Sequence, residues 1–197
     1  MLRKGFTLIE LVMVMTIVAV LSLSSIAAYT SYRKSSLVDL AADNVVSTLY
    51  KMRDEVALGK LRDGEDVCFG LYFEENVDEG GVSIVSSPFG TKKSFDGTSW
   101  IAAGCDMTGV ELSSVELEDL VSVSETEPSG NYYIMFEPPY AEVKVFQMVN
   151  GEVGEVSLDG EKYDGKFVVF LQYGEGDSYK RKISIDINSK LANVEAY

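Results

Sequence analysis

Glu10 is the residue whose type and position are most unusual in this chain. It lies in an apolar stretch, residues 6–28, that contains no other charge and no proline. A carboxylate within a membrane span is costly, so such residues are functional candidates, although near the helix end it can reach the headgroups at a smaller cost. Phe6 precedes Glu10 by four residues, which places the two on one face of a helix, about 6 Å apart along its axis.

The types of reactive side chain that the sequence contains, and those it lacks, exclude several kinds of catalytic site. The chain has no histidine, which removes Ser-His-Asp and Cys-His nucleophiles and histidine-based metal sites. Carboxylates, lysines and tyrosines remain, but no carboxylate pair, CxxC motif or glycine-rich phosphate loop is recognisable. The acidic stretches 159–164 and 175–177 lack the ligand spacing of an EF-hand loop, so we interpret them as solvated turns. We expect no catalytic residue, no metal site and no cofactor.

The two cysteines, Cys68 and Cys105, both lie in the polar part of the chain. If that part is exported, it meets an oxidising compartment, and a disulfide between them is expected. The alternative is a pair of buried reduced thiols. The sequence does not show whether the two Cα atoms approach within the limit of about 7 Å that a bridge requires.

The formal net charge of −14 bears on the partners of the chain. A surface this acidic repels phosphate backbones, so nucleic acid is disfavoured as a partner. The one compact basic cluster is Lys180-Arg181-Lys182, and it lies within an alternating strand pattern. Nothing in the sequence therefore supports a role in DNA uptake.

The apolar stretch 6–28 predicts a transmembrane helix. As a helix it is about 35 Å long, which is enough to cross the roughly 30 Å hydrocarbon core of a bilayer. Arg3 and Lys4 precede the stretch, and Arg33 and Lys34 follow it, so the positive-inside rule gives only a weak orientation.

A secretory signal is the alternative interpretation of the same stretch. Ser25-Ile26-Ala27 places small residues where signal peptidase prefers them, which would allow cleavage after Ala27. The charge of Glu10 and a run longer than about 7 to 15 residues both count against a signal peptide. We therefore favour a retained anchor.

Helical periodicity continues beyond the apolar stretch. One apolar stripe recurs at spacings of three or four and comprises Val38, Ala41, Val45, Leu49, Met52 and Val56. The opposite positions carry Asp39, Asp43, Lys51, Asp54 and Glu55. We predict one helix from Thr7 to near Leu58, with Gly59 and Gly64 as stop signals. Two helices broken near Ser22–Ser25 are the alternative.

After Gly64 the apolar period changes from 3.6 to 2, which predicts β-strands. The candidate strands are Val67–Phe73, Val82–Val85, Ser99–Ala102, Leu120–Val123, Tyr132–Phe136, Glu142–Val149, Glu155–Leu158, Phe167–Tyr173, Tyr179–Ile187 and Ala192–Ala196. Turn signals separate them, which favours an antiparallel sheet or sandwich. The prediction is an α+β protein with a short leader (1–5), a helix (6–59, of which 6–28 spans the membrane) and one β-rich head (60–197).

The first thirty residues resemble the class III leader of type IV prepilins and type II secretion pseudopilins. The resemblance rests on the short basic leader with Arg3 and Lys4, on Gly5, and on Phe6-Thr7-Leu8-Ile9-Glu10-Leu11 before an unbroken apolar run. It implies that prepilin peptidase recognises the leader, cuts between Gly5 and Phe6, and methylates the new amine of Phe6. It also implies that this amine pairs with Glu10 of a neighbouring subunit and sets the axial stagger between subunits.

The resemblance implies a structural filament subunit and not an enzyme. Such a protein crosses the cytoplasmic (inner) membrane once, has an extracytoplasmic head, and enters a filament at the cell surface or in the periplasm. Its partners are other pilin or pseudopilin subunits, prepilin peptidase, the inner-membrane assembly platform and membrane lipid. A minor subunit is favoured, because Ala27 stands where many major pilins have a helix-kinking proline.

Two stretches of the head resemble the H-type minor pseudopilins and fimbrial minor pilins. They are Ile134–Pro138, a strand entering a turn, and Arg181–Ile185 with Asn193-Val194, a closing hairpin. Ser189-Lys190 departs from this pattern, because that group usually has a turn glycine there. A membrane-tethered binding or adhesion module, a pseudopilus tip and an envelope enzyme using carboxylates remain alternatives.

The head also contains five aromatic residues at alternating positions: Tyr132, Tyr133, Phe136, Tyr140 and Phe146. We interpret them as core and surface residues of strands, and a carbohydrate-binding platform is the alternative.

Overall fold

The computed structural model describes the residues that follow the leader, with short gaps. The described ranges are 7–59, 61–62, 65–76, 80–90, 104–107, 110–118, 120–149, 152–156, 165–174 and 179–196. Several predicted features lie outside them: the leader, Phe6, the stop at Gly64, the strand at Ser99–Ala102 and the two acidic stretches 159–164 and 175–177.

The chain begins with one continuous helix, α1 (Leu8–Ala57), which confirms the prediction of a single helix. The alternative of a break near Ser22–Ser25 is wrong, because α1 continues through these residues without interruption. The serine hydroxyls are also hydrogen-bonded within the helix. Ser22 donates to the carbonyl of Val18, and Ser24 and Ser25 donate to that of Leu21. The helix ends where Gly59 adopts a φ of 68°, a left-handed conformation that glycine takes without strain.

The last part of α1 is amphipathic, as predicted. All six residues of the predicted apolar stripe are buried, together with Ala42. They pack against both sheets of the head, because the core cluster that contains them also holds strand residues of each sheet.

Twelve strands follow α1 in the described part of the chain. They are β1 (Leu61–Arg62), β2 (Glu65–Phe73), β3 (Val82–Gly90), β4 (Gly104–Cys105), β5 (Glu111–Ser114), β6 (Val121–Glu127), β7 (Asn131–Glu137), β8 (Glu142–Val149), β9 (Glu152–Glu155), β10 (Lys166–Tyr173), β11 (Lys180–Asp186) and β12 (Leu191–Ala196). Each predicted strand within the described ranges overlaps an observed one. The prediction missed the short strands β1, β4 and β5, and it placed β9 too late, since that strand ends at Glu155.

The strands form two antiparallel sheets, as the α+β prediction requires. One sheet has the order β4-β3-β2-β7-β8-β9, with β1 on β2 and β5 on β3. The other has the order β12-β11-β10-β6. The main core lies between α1 and the inner faces of both sheets, where Phe167 packs edge-on against Tyr132 with ring centroids 5.0 Å apart.

A second apolar cluster lies on the opposite face of the eight-stranded sheet. Leu71 and Phe73 belong to the main core, whereas Tyr72 belongs to the second cluster, as the alternation of side chains along a strand requires. Tyr72 stacks on Tyr133 of β7 with ring centroids 4.5 Å apart. Burial, with a smaller contribution from nearby Glu74, raises the pKa of Tyr72 to about 12, so this pair is neutral at physiological pH.

Both outer strands of the four-stranded sheet are bonded to other parts of the chain. On β6, the N–H of Val123 donates to Gly80 at 3.0 Å, and the N–H of Gly80 donates to Val121 at 3.1 Å. On β12, the hydroxyl of Tyr50 donates to the carbonyl of Ala192 at 2.9 Å and accepts its N–H at 3.0 Å. The main-chain groups that an edge strand leaves unpaired are thus occupied at these positions.

Candidate functional site

Two residues, Phe6 and Glu10, were predicted to act in assembly, and the structure describes Glu10. Arg3, Lys4, Gly5 and Phe6 lie outside the described residues, so leader recognition, cleavage and the Phe6–Glu10 pairing stay predictions.

Glu10 closes a capping box with Thr7 at the start of α1. The N–H and the hydroxyl of Thr7 both donate to Oε2 of Glu10 at 2.9 Å. The N–H of Glu10 donates back to the Thr7 hydroxyl oxygen at 3.4 Å. These bonds satisfy donors that the first turn of a helix otherwise leaves unpaired.

The capping box gives the Glu10 carboxylate a local role that the sequence analysis missed. The signal was readable, because Thr7-Leu8-Ile9-Glu10 has the T-x-x-E spacing of a capping box. The carboxylate also lies at the positive end of the helix dipole, where a negative charge is favoured. Glu10 is therefore held in place by its own helix, with its bonds to Thr7 made through one carboxylate oxygen.

The first part of α1 exposes an unbroken apolar surface. All side chains from Leu8, which is 81% exposed, to Ala28 are exposed. An 18-residue window of this helix has a mean hydropathy of 2.4 and none of it is buried, so in length and composition the helix can cross a membrane.

The hydroxyl groups of the apolar part are paired within the helix. Thr16 donates to the carbonyl of Met13 and Thr30 to that of Ala27, and the three serines described above bond in the same way. A polar group that is already hydrogen-bonded costs less to place in hydrocarbon. These five hydroxyls are therefore compatible with a lipid environment.

A polar contact joins α1 to the head just beyond the apolar part. The Ser31 and Tyr179 hydroxyl oxygens are 2.9 Å apart and share a hydrogen bond. The ammonium of Lys34 lies 5.5 Å from the ring centroid of Tyr173 and 5.8 Å from that of Tyr179, within cation–π range.

Arg181 continues this contact one turn further along α1. Its guanidinium binds both carboxylate oxygens of Asp39, and its Nη2 also donates to the Ser35 hydroxyl at 3.0 Å. Lys182 also pairs with Glu195 of β12 at 3.3 Å, so two side chains of the basic cluster at 180–182 form ion pairs within the chain. Asp39, which the sequence analysis placed on the polar face, has a partner that is 142 residues away in sequence.

Cys68 and Cys105 form a disulfide, as predicted, and the alternative of reduced thiols is wrong. Their Cα atoms are 5.8 Å apart, within the limit for a bridge. The N–H of Cys105 also donates to the Glu137 carboxylate at 3.2 Å. Cys105 therefore connects β4 to β2 through the disulfide and to β7 through this hydrogen bond.

The described residues offer little support for a ligand site of another kind. Among them, no group of three or more Asp, Glu, Cys or His side chains is placed to hold a metal ion. Of the five aromatic residues considered for a carbohydrate platform, four are buried and Tyr140 alone is well exposed, at 83%.

Comparison with known proteins gives a match for the N-terminal segment. Residues 1–26 match a family described as the prokaryotic N-terminal methylation motif. No curated protein and no solved structure matches the chain. The match covers the basic leader, Gly5, Phe6 and Glu10, and the described helix begins within it and continues into the head. The chain therefore carries the class III leader of type IV pilins and pseudopilins, followed by the long helix and antiparallel sheets of a pilin-like α+β protein.

Proposed function

We propose that this chain is a minor pilin or pseudopilin, a structural subunit of a type IV pilus-like filament. The observation that carries the proposal is the methylation motif at residues 1–26 on a helix whose apolar part is fully exposed. An exposed apolar surface of this size requires lipid before assembly and neighbouring helices afterwards. The motif points to a structural subunit and away from an enzyme.

In the proposed mechanism, prepilin peptidase recognises Arg3 and Lys4, cuts between Gly5 and Phe6, and methylates the amine of Phe6. The cleaved chain keeps Thr7, so the capping box survives processing. The ammonium of a neighbouring subunit's Phe6 then binds the Glu10 carboxylate, whose oxygen already accepts two bonds from Thr7. In an apolar environment the ammonium and the carboxylate are each costly alone, and pairing offsets part of that cost. Axial positions of neighbouring subunits that leave the two charges unpaired are therefore disfavoured.

The same proposal assigns the layout and the partners of the chain. Residues 1–5 are the leader, 6–59 the helix with 6–28 in the inner membrane, and 60–197 an extracytoplasmic head. The partners are other subunits, the assembly platform, prepilin peptidase and lipid, and nucleic acid is not among them. The filament lies at the cell surface or in the periplasm.

The first test is the mass of the N-terminal peptide from protein isolated from its own host's membranes. A peptide that begins with N-methylated Phe6 supports the proposal. A peptide that begins at Ala28 contradicts it and indicates a secreted β-domain. An intact Met1 also contradicts it, and supports a membrane-tethered binding or adhesion module instead.

A second test separates the two roles of Glu10. Glu10→Gln keeps an oxygen that accepts from Thr7 but has no charge. Thr7→Val removes the two hydrogen bonds of the Thr7 hydroxyl, leaves the bond from the Thr7 N–H, and keeps the charge of Glu10. We expect Glu10→Gln to remain in the membrane fraction and to be lost from sheared filaments. The amount of Thr7→Val in sheared filaments should fall less. Asp43→Asn, an exposed change on the same helix, is the control. Normal assembly of Glu10→Gln would rule out the charge pair.

A further inference from the structure

We propose that α1 and the head together form a docking surface for phospholipid headgroups. This collar consists of Tyr29, Tyr32, Arg33 and Lys34 of the helix and Tyr179 of the head. The inference rests on the part of the proposed function that places residues 6–28 in the membrane, and it adds a direct contact between the head and the lipid.

The position of the collar follows from the length of the helix. The described apolar part, Leu8 to Ala28, is about 31 Å long, which matches a hydrocarbon core of about 30 Å. The next turn and a half of α1 therefore lies at the level of the headgroups. Tyr29 and Tyr32 are 66% and 73% exposed there. Tyrosine is enriched at this level in membrane proteins, because its ring is apolar and its hydroxyl is polar.

Two cations lie at the same level and face different ways. Arg33 is exposed and follows Tyr29 by four residues, so both lie on one side of the helix. Lys34 faces the head, where its ammonium lies over the rings of Tyr173 and Tyr179. The bond between Tyr179 and Ser31 fixes one of these rings.

The lysine is therefore oriented before any ligand binds. The two rings restrict its side chain, yet Lys34 remains solvent-exposed, so its N–H groups can reach a further acceptor. Restricting a flexible side chain in advance lowers the entropy cost of binding. Ammonium and guanidinium groups form charge-assisted hydrogen bonds with phosphate oxygens, which every phospholipid headgroup carries.

The charge of the whole chain favours a local contact with single headgroups. A net charge of −14 gives no general attraction to an anionic surface. Binding must then come from contacts of Arg33 and Lys34 with individual phosphodiester groups. Zwitterionic phospholipids carry these groups as well as anionic ones. Because Tyr179 belongs to the head, occupancy of the collar holds the head against the bilayer before the subunit is extracted.

The test compares the full-length chain in two kinds of nanodisc. One contains phosphatidylcholine, and the other contains digalactosyldiacylglycerol, which is uncharged and has no phosphate. The rate at which an N-hydroxysuccinimide ester acylates each lysine is followed by mass spectrometry of the peptides. Lys51, exposed further along the same helix, is the internal control.

We expect Lys34 to react about fivefold more slowly in phosphatidylcholine discs, the effect of one hydrogen bond of ordinary strength, and Lys51 to react equally in both. Tyr179→Leu should remove most of this protection, and Tyr179→Phe, which keeps the ring, should remove less. Equal rates for Lys34 in both discs would overturn the proposal.

Protection of Lys34 in galactolipid discs by added inorganic phosphate would also overturn it, because the site would then bind a small anion. These outcomes are independent of processing. If the filament proposal is wrong, the mass of the N-terminal peptide will show it. If the headgroup proposal is wrong, the acylation rate of Lys34 will show it.

Discussion

The bond between Tyr50 and β12 gives a prediction about the stability of the head. Tyr50→Phe keeps the aromatic ring and deletes one oxygen atom. That oxygen donates to the carbonyl of Ala192 and accepts its N–H, so the change removes two hydrogen bonds. Both main-chain groups lie at the outer edge of the four-stranded sheet, because among the described strands β12 pairs with β11 alone, on its other side.

The expected magnitude follows from the number of bonds. One hydrogen bond contributes about 0.5 to 1.5 kcal/mol to the free energy of unfolding, so two contribute about 1 to 3 kcal/mol. Both bonds are partly buried, so water replaces them incompletely and the middle of this range, about 2 kcal/mol, is expected. For a protein of this size that lowers Tm by roughly 4 to 8 °C.

The assay is thermal and urea unfolding of the full-length chain in detergent, followed by the circular dichroism of the sheets. Tyr140→Phe is the matched control, because Tyr140 is 83% exposed. It should unfold like the unchanged chain. If Tyr50→Phe also leaves Tm and the urea midpoint unchanged, the hydroxyl does not close this edge and the reasoning is refuted.

Three further changes test other contacts, each by urea unfolding. Replacing Cys68 and Cys105 with alanine should cost about 4 kcal/mol, the loop-closure entropy for a sequence separation of 37 residues, and an unchanged urea midpoint would contradict this. Gly70→Ala should cost about 3 kcal/mol, because the added Cβ would lie 2.0 Å from a carbonyl oxygen of β7, while Gly154→Ala has open space and serves as the control. Burial raises the pKa of Glu137 above its ordinary 4.5, so the folded state retains a proton that the unfolded state releases, and stability should fall as the pH rises above 4.5 through the raised pKa. Glu137→Gln should lose this part of the pH dependence, and an identical decline from pH 4.5 to neutral pH in both proteins would contradict the assignment.

Local patterns in the sequence were sufficient to predict the helix and most strands. The stripe from Val38 to Val56 repeats at helical spacing, and every member of it is buried, because one face of a helix meets the core. Most strands from β6 onward, with the exception of β9, alternate or form apolar runs between turn signals, which depends only on neighbouring residues. The short strands β4 and β5 lack such a pattern, since they are held by pairing with β3.

Contacts between distant residues could not be predicted in the same way. Arg181 and Asp39 are 142 residues apart, and each has the sequence context of an ordinary surface charge. Their meeting depends on how α1 crosses β11, which no local pattern encodes. The capping box of Thr7 and Glu10 was different, because it spans one helical turn and its spacing was visible in the sequence.

The closed edges of the four-stranded sheet have a consequence for how such a subunit is exchanged. Some filaments are built by inserting a strand of one subunit into an incomplete sheet of the next, and the subunit then finishes folding only inside the polymer. Here β6 is bonded to the Gly80 segment and β12 to Tyr50, within one chain. At these positions the chain caps the edges of its own sheet without a strand from a second chain. If the chain enters a filament as proposed, these edges therefore need no partner strand from a neighbouring subunit.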